Sequence, residues 1–121
     1  MRFTKEIAFV TRPNPLKLNP LQLKTLTLLQ EIARHPDLCA RNEAGEAMVT
    51  RLPHPHGNHF HIGAAVVSSR DATGLHNPAV YVALERKGLV KNGYPNLIVL
   101  TVEGEAYPTG LADQILHGSD H

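Results

Sequence analysis

The sequence predicts a small α+β domain, and three stretches carry that expectation. Apolar residues recur at helical spacing between Leu21 and Ala33, behind an Asn19, Pro20 start. Two short runs with strand character, residues 47–52 and 59–67, flank a turn-rich PHPHGN segment. From residue 77 to 107 the order is helix, glycine stop, short strand, turn, strand and new helix start. A length of 121 residues suits one domain. With 42% hydrophobic but only 5% aromatic residues and no Trp, the core must be filled by Leu, Val, Ile and Ala. Nine Pro and nine Gly imply short elements with frequent breaks.

Residues 3–10 alternate weakly and are expected as a strand. TRPNPLKLNP follows with three prolines in ten residues, which makes it an extended arm. Strand and arm occupy residues 1–18, and the main domain residues 19–121. Its first helix starts at Asn19 as cap and Pro20 in the first turn, and continues to Arg34. Leu21, Leu26, Leu28, Leu29, Ile32 and Ala33 gather on one broad face, with Lys24, Thr27, Glu31 and Arg34 opposite. His35 and Pro36 end it. Runs 47–52 and 59–67 are read as the two strands of a β-hairpin. The alternative is a helix over 62–69, because Ala64, Ala65 and Val66 suit either state when buried. Only residues 68–75 remain for a further helix before Asn77.

The next helix begins with Asn77 as cap and Pro78 at its first position. Val80, Ala83 and Leu84 recur at helical spacing, and Gly88 supplies a left-handed stop. Leu89 and Val90 open a strand, residues 91–96 turn, and residues 97–100 return. Thr101 caps a further helix with Glu103 in its first turn. Leu111, Ala112, Ile115 and Leu116 predict a last helix over 108–116, fraying through 117–121.

The stretch from 77 to 107 resembles the winged-helix family, and within it the MarR-like regulators. There a recognition helix ends in "L…GLV", a β-wing follows, and "LT.EG" starts the next helix. The matching residues are Leu84, Gly88, Leu89 and Val90, then Leu100, Thr101, Glu103 and Gly104. The resemblance covers about a quarter of the chain. It implies a winged helix-turn-helix, here with an extra β-hairpin before the recognition helix. It also implies a DNA-binding, homodimeric transcription regulator. The terminal helices build the dimer in such proteins, so the apolar faces of residues 21–33 and 111–116 are dimer candidates. The other reading is that they pack on each other within one chain. The sequence departs from the family in its short second helix, for which only SSRDATGL is available.

DNA binding needs cations for phosphates and polar groups for base edges. On the resemblance, Arg70, His76, Asn77, Tyr81, Arg86 and Lys87 face the groove and phosphates. Lys91, Asn92 and Tyr94 act from the wing. Between residues 70 and 96 four cations stand against two acids, a modest positive footprint. Ala79, Val82 and Ala83 can touch thymine methyls but give little direct readout. The whole-chain net charge of +1 adds no argument for nucleic acid.

HPHGNHFH is the other unusual feature, with His54, His56, His59 and His61 within eight residues. On a strand, His59 and His61 point to one face because the side-chain period is two. His54 and His56 come near if the chain folds back at Gly57. Neutral imidazoles so placed suit zinc, nickel or copper, and zinc or nickel is the cofactor considered. The bland alternative is a solvent-facing polar hairpin tip.

Enzyme signatures are thin. Ser68 and Ser69 lack a G-x-S-x-G context, no phosphate loop is present, and acidic residues are scattered singly. The single Cys39 cannot form an internal disulfide, which suits a reducing cytoplasm, and its Leu38, Ala40 neighbours suit inert packing. No apolar run approaches membrane-spanning length, and the N-terminus lacks a signal-peptide core. The expectation is therefore a non-enzymatic, cytoplasmic DNA-binding regulator. A protein-interaction module on the same fold, or a metal-binding protein centred on the histidines, are the alternatives.

Overall fold

Asn19 opens the first helix through a reciprocal cap. Its side chain accepts from the Gln22 N–H at 2.8 Å, and the Gln22 side chain accepts from the Asn19 N–H at 3.0 Å. Helix α1 then runs Pro20–Ala33 in this computed structural model, which describes residues 14–118. The strand expected over 3–10 lies outside the described residues. Leu26, Leu28, Leu29, Ile32 and Ala33 are buried as the apolar spacing requires. Thr27, expected on the polar side, is buried too. Its hydroxyl bonds the Leu23 carbonyl at 2.8 Å and the Thr109 hydroxyl at 2.7 Å, so burial leaves it satisfied. Helix α1 is covered from several directions, so its buried surface is wider than the single apolar face its spacing predicts and takes in Thr25 and Thr27.

Two antiparallel sheets follow. Strands β1 (Ala40–Arg41), β2 (Ala47–Val49), β5 (Val90–Gly93) and β6 (Leu97–Leu100) form one, in the order β1-β2-β6-β5. Strands β3 (His59–Ile62), β4 (Ala65–Ser68) and β7 (His117–Gly118) form the other, in the order β3-β4-β7. The expected pairing of run 47–52 with run 59–67 is corrected. Ala47 stands opposite Leu100 and Val49 opposite Ile98, while run 59–67 folds on itself with Phe60 opposite Val67. The cause is local. Gly63 takes φ +58° in the middle of the second run and turns it. A hairpin before the next helix is thus present, but β3 and β4 build it. The alternative helix over 62–69 does not form; only Ser69–Asp71 is helical there, as one 3₁₀ turn.

Helix α2 spans Pro78–Arg86, α3 spans Val102–Ala106 and α4 spans Ala112–Ile115. Helix α4 is shorter than the periodicity predicts. His117 and Gly118, expected to fray, pair with Val66 and Ala65 and complete the second sheet. The core lies between α1, α2 and the first sheet, around Leu26, Leu29, Tyr81, Leu84, Ile98 and Leu100. Leu26, Leu28, Leu29, Ile32 and Ala33 of α1 and Ile115 of α4 are buried within the single chain, while Leu21 and Leu23 are half-buried against the core. Among the described residues no helix is long and apolar enough to cross a membrane.

Candidate functional site

Helix α2 is held at both ends by the residues its sequence promises. The Asn77 side chain accepts from the Ala79 N–H at 3.0 Å, and Pro78 fills the first position. Gly88 takes φ +76°, which lets the chain leave the helix directly into Leu89 and β5. Thr101 donates its hydroxyl to the Gly88 and Leu89 carbonyls and accepts from the Gly104 N–H at 2.9 Å, so the end of α2 and the start of α3 share one residue. The inward side of α2 is Val80, Tyr81 and Leu84. The outward side is Ala79, Val82, Glu85 and Arg86, with exposed Lys87 following.

This geometry sorts the residues expected to meet DNA. Tyr81 is corrected: it is fully buried, its hydroxyl donates to the Leu75 carbonyl at 2.7 Å, and its ring stacks on Tyr94 at 5.3 Å. Burial pushes its phenol well above the ordinary tyrosine range. Asn77 is engaged as a helix cap. Asn92 is half-buried; its side chain accepts from the Tyr94 N–H and its N–H donates to Glu85, each at 3.0 Å. The Tyr94 hydroxyl donates to the His76 carbonyl at 3.1 Å. Lys91 pairs with Glu46 at 3.0 Å, and the Asn42 side chain together with Lys91 holds the Glu46 carboxyl below the usual carboxylate range. The His76 ring bonds the Pro53 carbonyl at 2.8 Å and stacks on His54 at 5.1 Å. Arg70, Arg86 and Lys87 are exposed and make no ion pair with a described residue.

The second collection lies on the β3–β4 hairpin. Phe60 and Ile62 point into the core, so the strand period sends His59 and His61 outward together. Their Nε2 atoms are 3.1 Å apart. Gly57 takes φ +71° and folds the preceding loop back, and the His56 N–H donates to the His59 carbonyl at 2.6 Å. One nitrogen from each of His56, His59 and His61 then lies within 4.8 Å of the others. His54 is corrected out of this group by its stack on His76. Residue types in this triad suit a divalent transition ion.

Asn58 and Glu46 were not anticipated. Asn58 Oδ1 stands 3.3 Å from His59 Nδ1, and its place between Gly57 and His59 is the signal that could have marked it. Glu46 carries no such signal, because its partners Asn42 and Lys91 come from a turn and a distant strand. Cys39 is half-buried, with its thiol 3.8 Å from the Ala33 and His35 carbonyls, in keeping with packing. No protein-family model matches the chain, and neither does any curated protein or solved structure.

Proposed function

We propose that the chain is a winged-helix-type DNA-binding regulator, with α2 as the groove helix and the β5–β6 hairpin as the wing. One observation carries the reading. The second strand after α1, β2, pairs with β6 of the hairpin that follows α2, so helix, strand, helix and hairpin form a single unit around one core. The hairpin β3–β4 and the 3₁₀ turn stand where a second helix would be. On this arrangement Arg70, Arg86 and Lys87 meet phosphates, and Ala79 and Val82 lie against the groove floor. Asn77, Asn92 and Tyr94 then act by shaping the helix start and the wing, since their polar atoms are engaged locally. A homodimer belongs to the proposal. Its joining surface would lie away from the covered apolar residues of α1.

Fluorescence anisotropy with random duplex DNA tests this. Micromolar binding that falls steeply with salt is expected, and an Arg86→Ala, Lys87→Ala variant should flatten the log–log salt slope by about two. Absence of binding at low salt overturns the reading. One observation favours a protein partner instead: Val82 is 40% exposed at the centre of the outward side of α2. Salt-insensitive association weakened by Val82→Asp would select that alternative.

A further inference from the structure

We infer that His56, His59 and His61 form a three-imidazole site for a borderline divalent transition ion, zinc or nickel, on the outer side of the β3–β4 hairpin. The inference is independent of the DNA reading. Three separate features of the backbone converge on this one place. The strand period puts His59 and His61 side by side. The Gly57 turn and the bridge between His56 and His59 bring the third ring over them, with ring centroids 5.9 Å from His59 and 5.6 Å from His61. Asn58 accepts from Nδ1–H of His59, which leaves the Nε2 lone pair of that ring directed at His61.

The separations suit one ion. Two nitrogens each about 2.0–2.1 Å from zinc at the tetrahedral angle stand about 3.3 Å apart. The His59 and His61 Nε2 atoms are 3.1 Å apart, at hydrogen-bond distance and close to that separation. His56 is exposed, and one of its ring nitrogens lies within 4.8 Å of a ligand nitrogen on each of the other two. The donors are all imidazole, which favours zinc and nickel over calcium or magnesium, whose sites are built from oxygen. Three protein ligands on an exposed face leave a coordination position for water or for an outside ligand. His54, engaged with His76, is not a ligand. His117 projects from β7, beyond β4, and is not one either.

The test uses tag-free, metal-stripped full-length protein titrated with zinc chloride and nickel chloride in a calorimeter, with native mass spectrometry for stoichiometry. One ion per chain at micromolar affinity or tighter is expected. His59→Ala and His61→Ala should each weaken binding at least about 10-fold, and Asn58→Ala about 10-fold through loss of ring orientation. His54→Ala and His117→Ala should bind as the parent does. Cobalt substitution should give visible absorption that is lost in His56→Ala, a change on an exposed loop that leaves the strand intact. No stoichiometric binding overturns the site. So does equal loss from His54→Ala and His61→Ala, which would mean a diffuse histidine surface.

Discussion

Gly104 shows how much one position can decide. It sits in the first turn of α3, and a methyl there would fall inside the van der Waals envelope of the Leu89 carbonyl oxygen, which is backbone and cannot move aside cheaply. Helix α3 therefore lies directly on the chain leaving α2. Gly104→Ala should destabilise the protein by about 2 kcal/mol, read from the urea midpoint at unchanged slope. A loss below about 0.5 kcal/mol would mean that α3 is free to shift. The capping role of Thr101 was legible in sequence, because a threonine before a short acidic turn has few other uses there. The tight approach of Gly104 was not, since it depends on a carbonyl 15 positions away in the chain.

Among the elements, α2 and the β3–β4 hairpin carry the two candidate functions, and the segments that precede them meet at His76. His54 and the Pro53 carbonyl, from the loop before β3, hold the ring of His76 immediately before the Asn77 cap. The cap itself is a separable feature. Asn77→Ala removes the acceptor for the Ala79 N–H and should cost about 1 kcal/mol, with faster amide exchange confined to the first turn of α2. Protection lost evenly along the helix would show that the cap is not what holds this end. Both ends of α2 and strand β6 followed from local signals: Asn-Pro, Gly88 and the apolar return at 97–100; residues 91–93, expected in the turn, instead extend β5 by pairing with 97–99. The middle hairpin did not. Two runs of similar strand character can pair in several ways, and Gly63 inside the second run selected its fold-back.

For the molecule as a whole, two charged clamps tie distant segments together. The Arg41 guanidinium grips Glu105 of α3 through two bonds of 2.6 and 2.9 Å and also donates to the Ala33 carbonyl at 2.8 Å, so β1, α3 and the end of α1 meet at one side chain. That hydrogen-bonded pairing holds the Glu105 carboxyl below its ordinary range, as Asn42 and Lys91 do for Glu46. Both folded values are depressed, so the stability they contribute is fully present above the ordinary carboxylate value of about 4.3 and is lost as pH falls below it. Denaturation midpoints should drop between about pH 5 and 3, and Glu46→Gln with Glu105→Gln should flatten that drop while lowering stability at pH 7. An unchanged pH slope in the double variant would remove both clamps from the account.

The chain by itself determined those features that depend on near neighbours. Caps at Asn19, Asn77 and Thr101, the stop at Gly88, the α+β class and the outward pairing of His59 with His61 all follow from residues a few positions apart. Only the tertiary structure decided which strands share a sheet, that Tyr81 belongs to the core, that Thr27 is buried, and that His54 leaves the cluster while His56 stays. Each of these depends on which distant surface covers a side chain. Local backbone preference is silent on that choice, because burial is set by the packing of whole elements and by the hydrogen-bond partners that packing supplies.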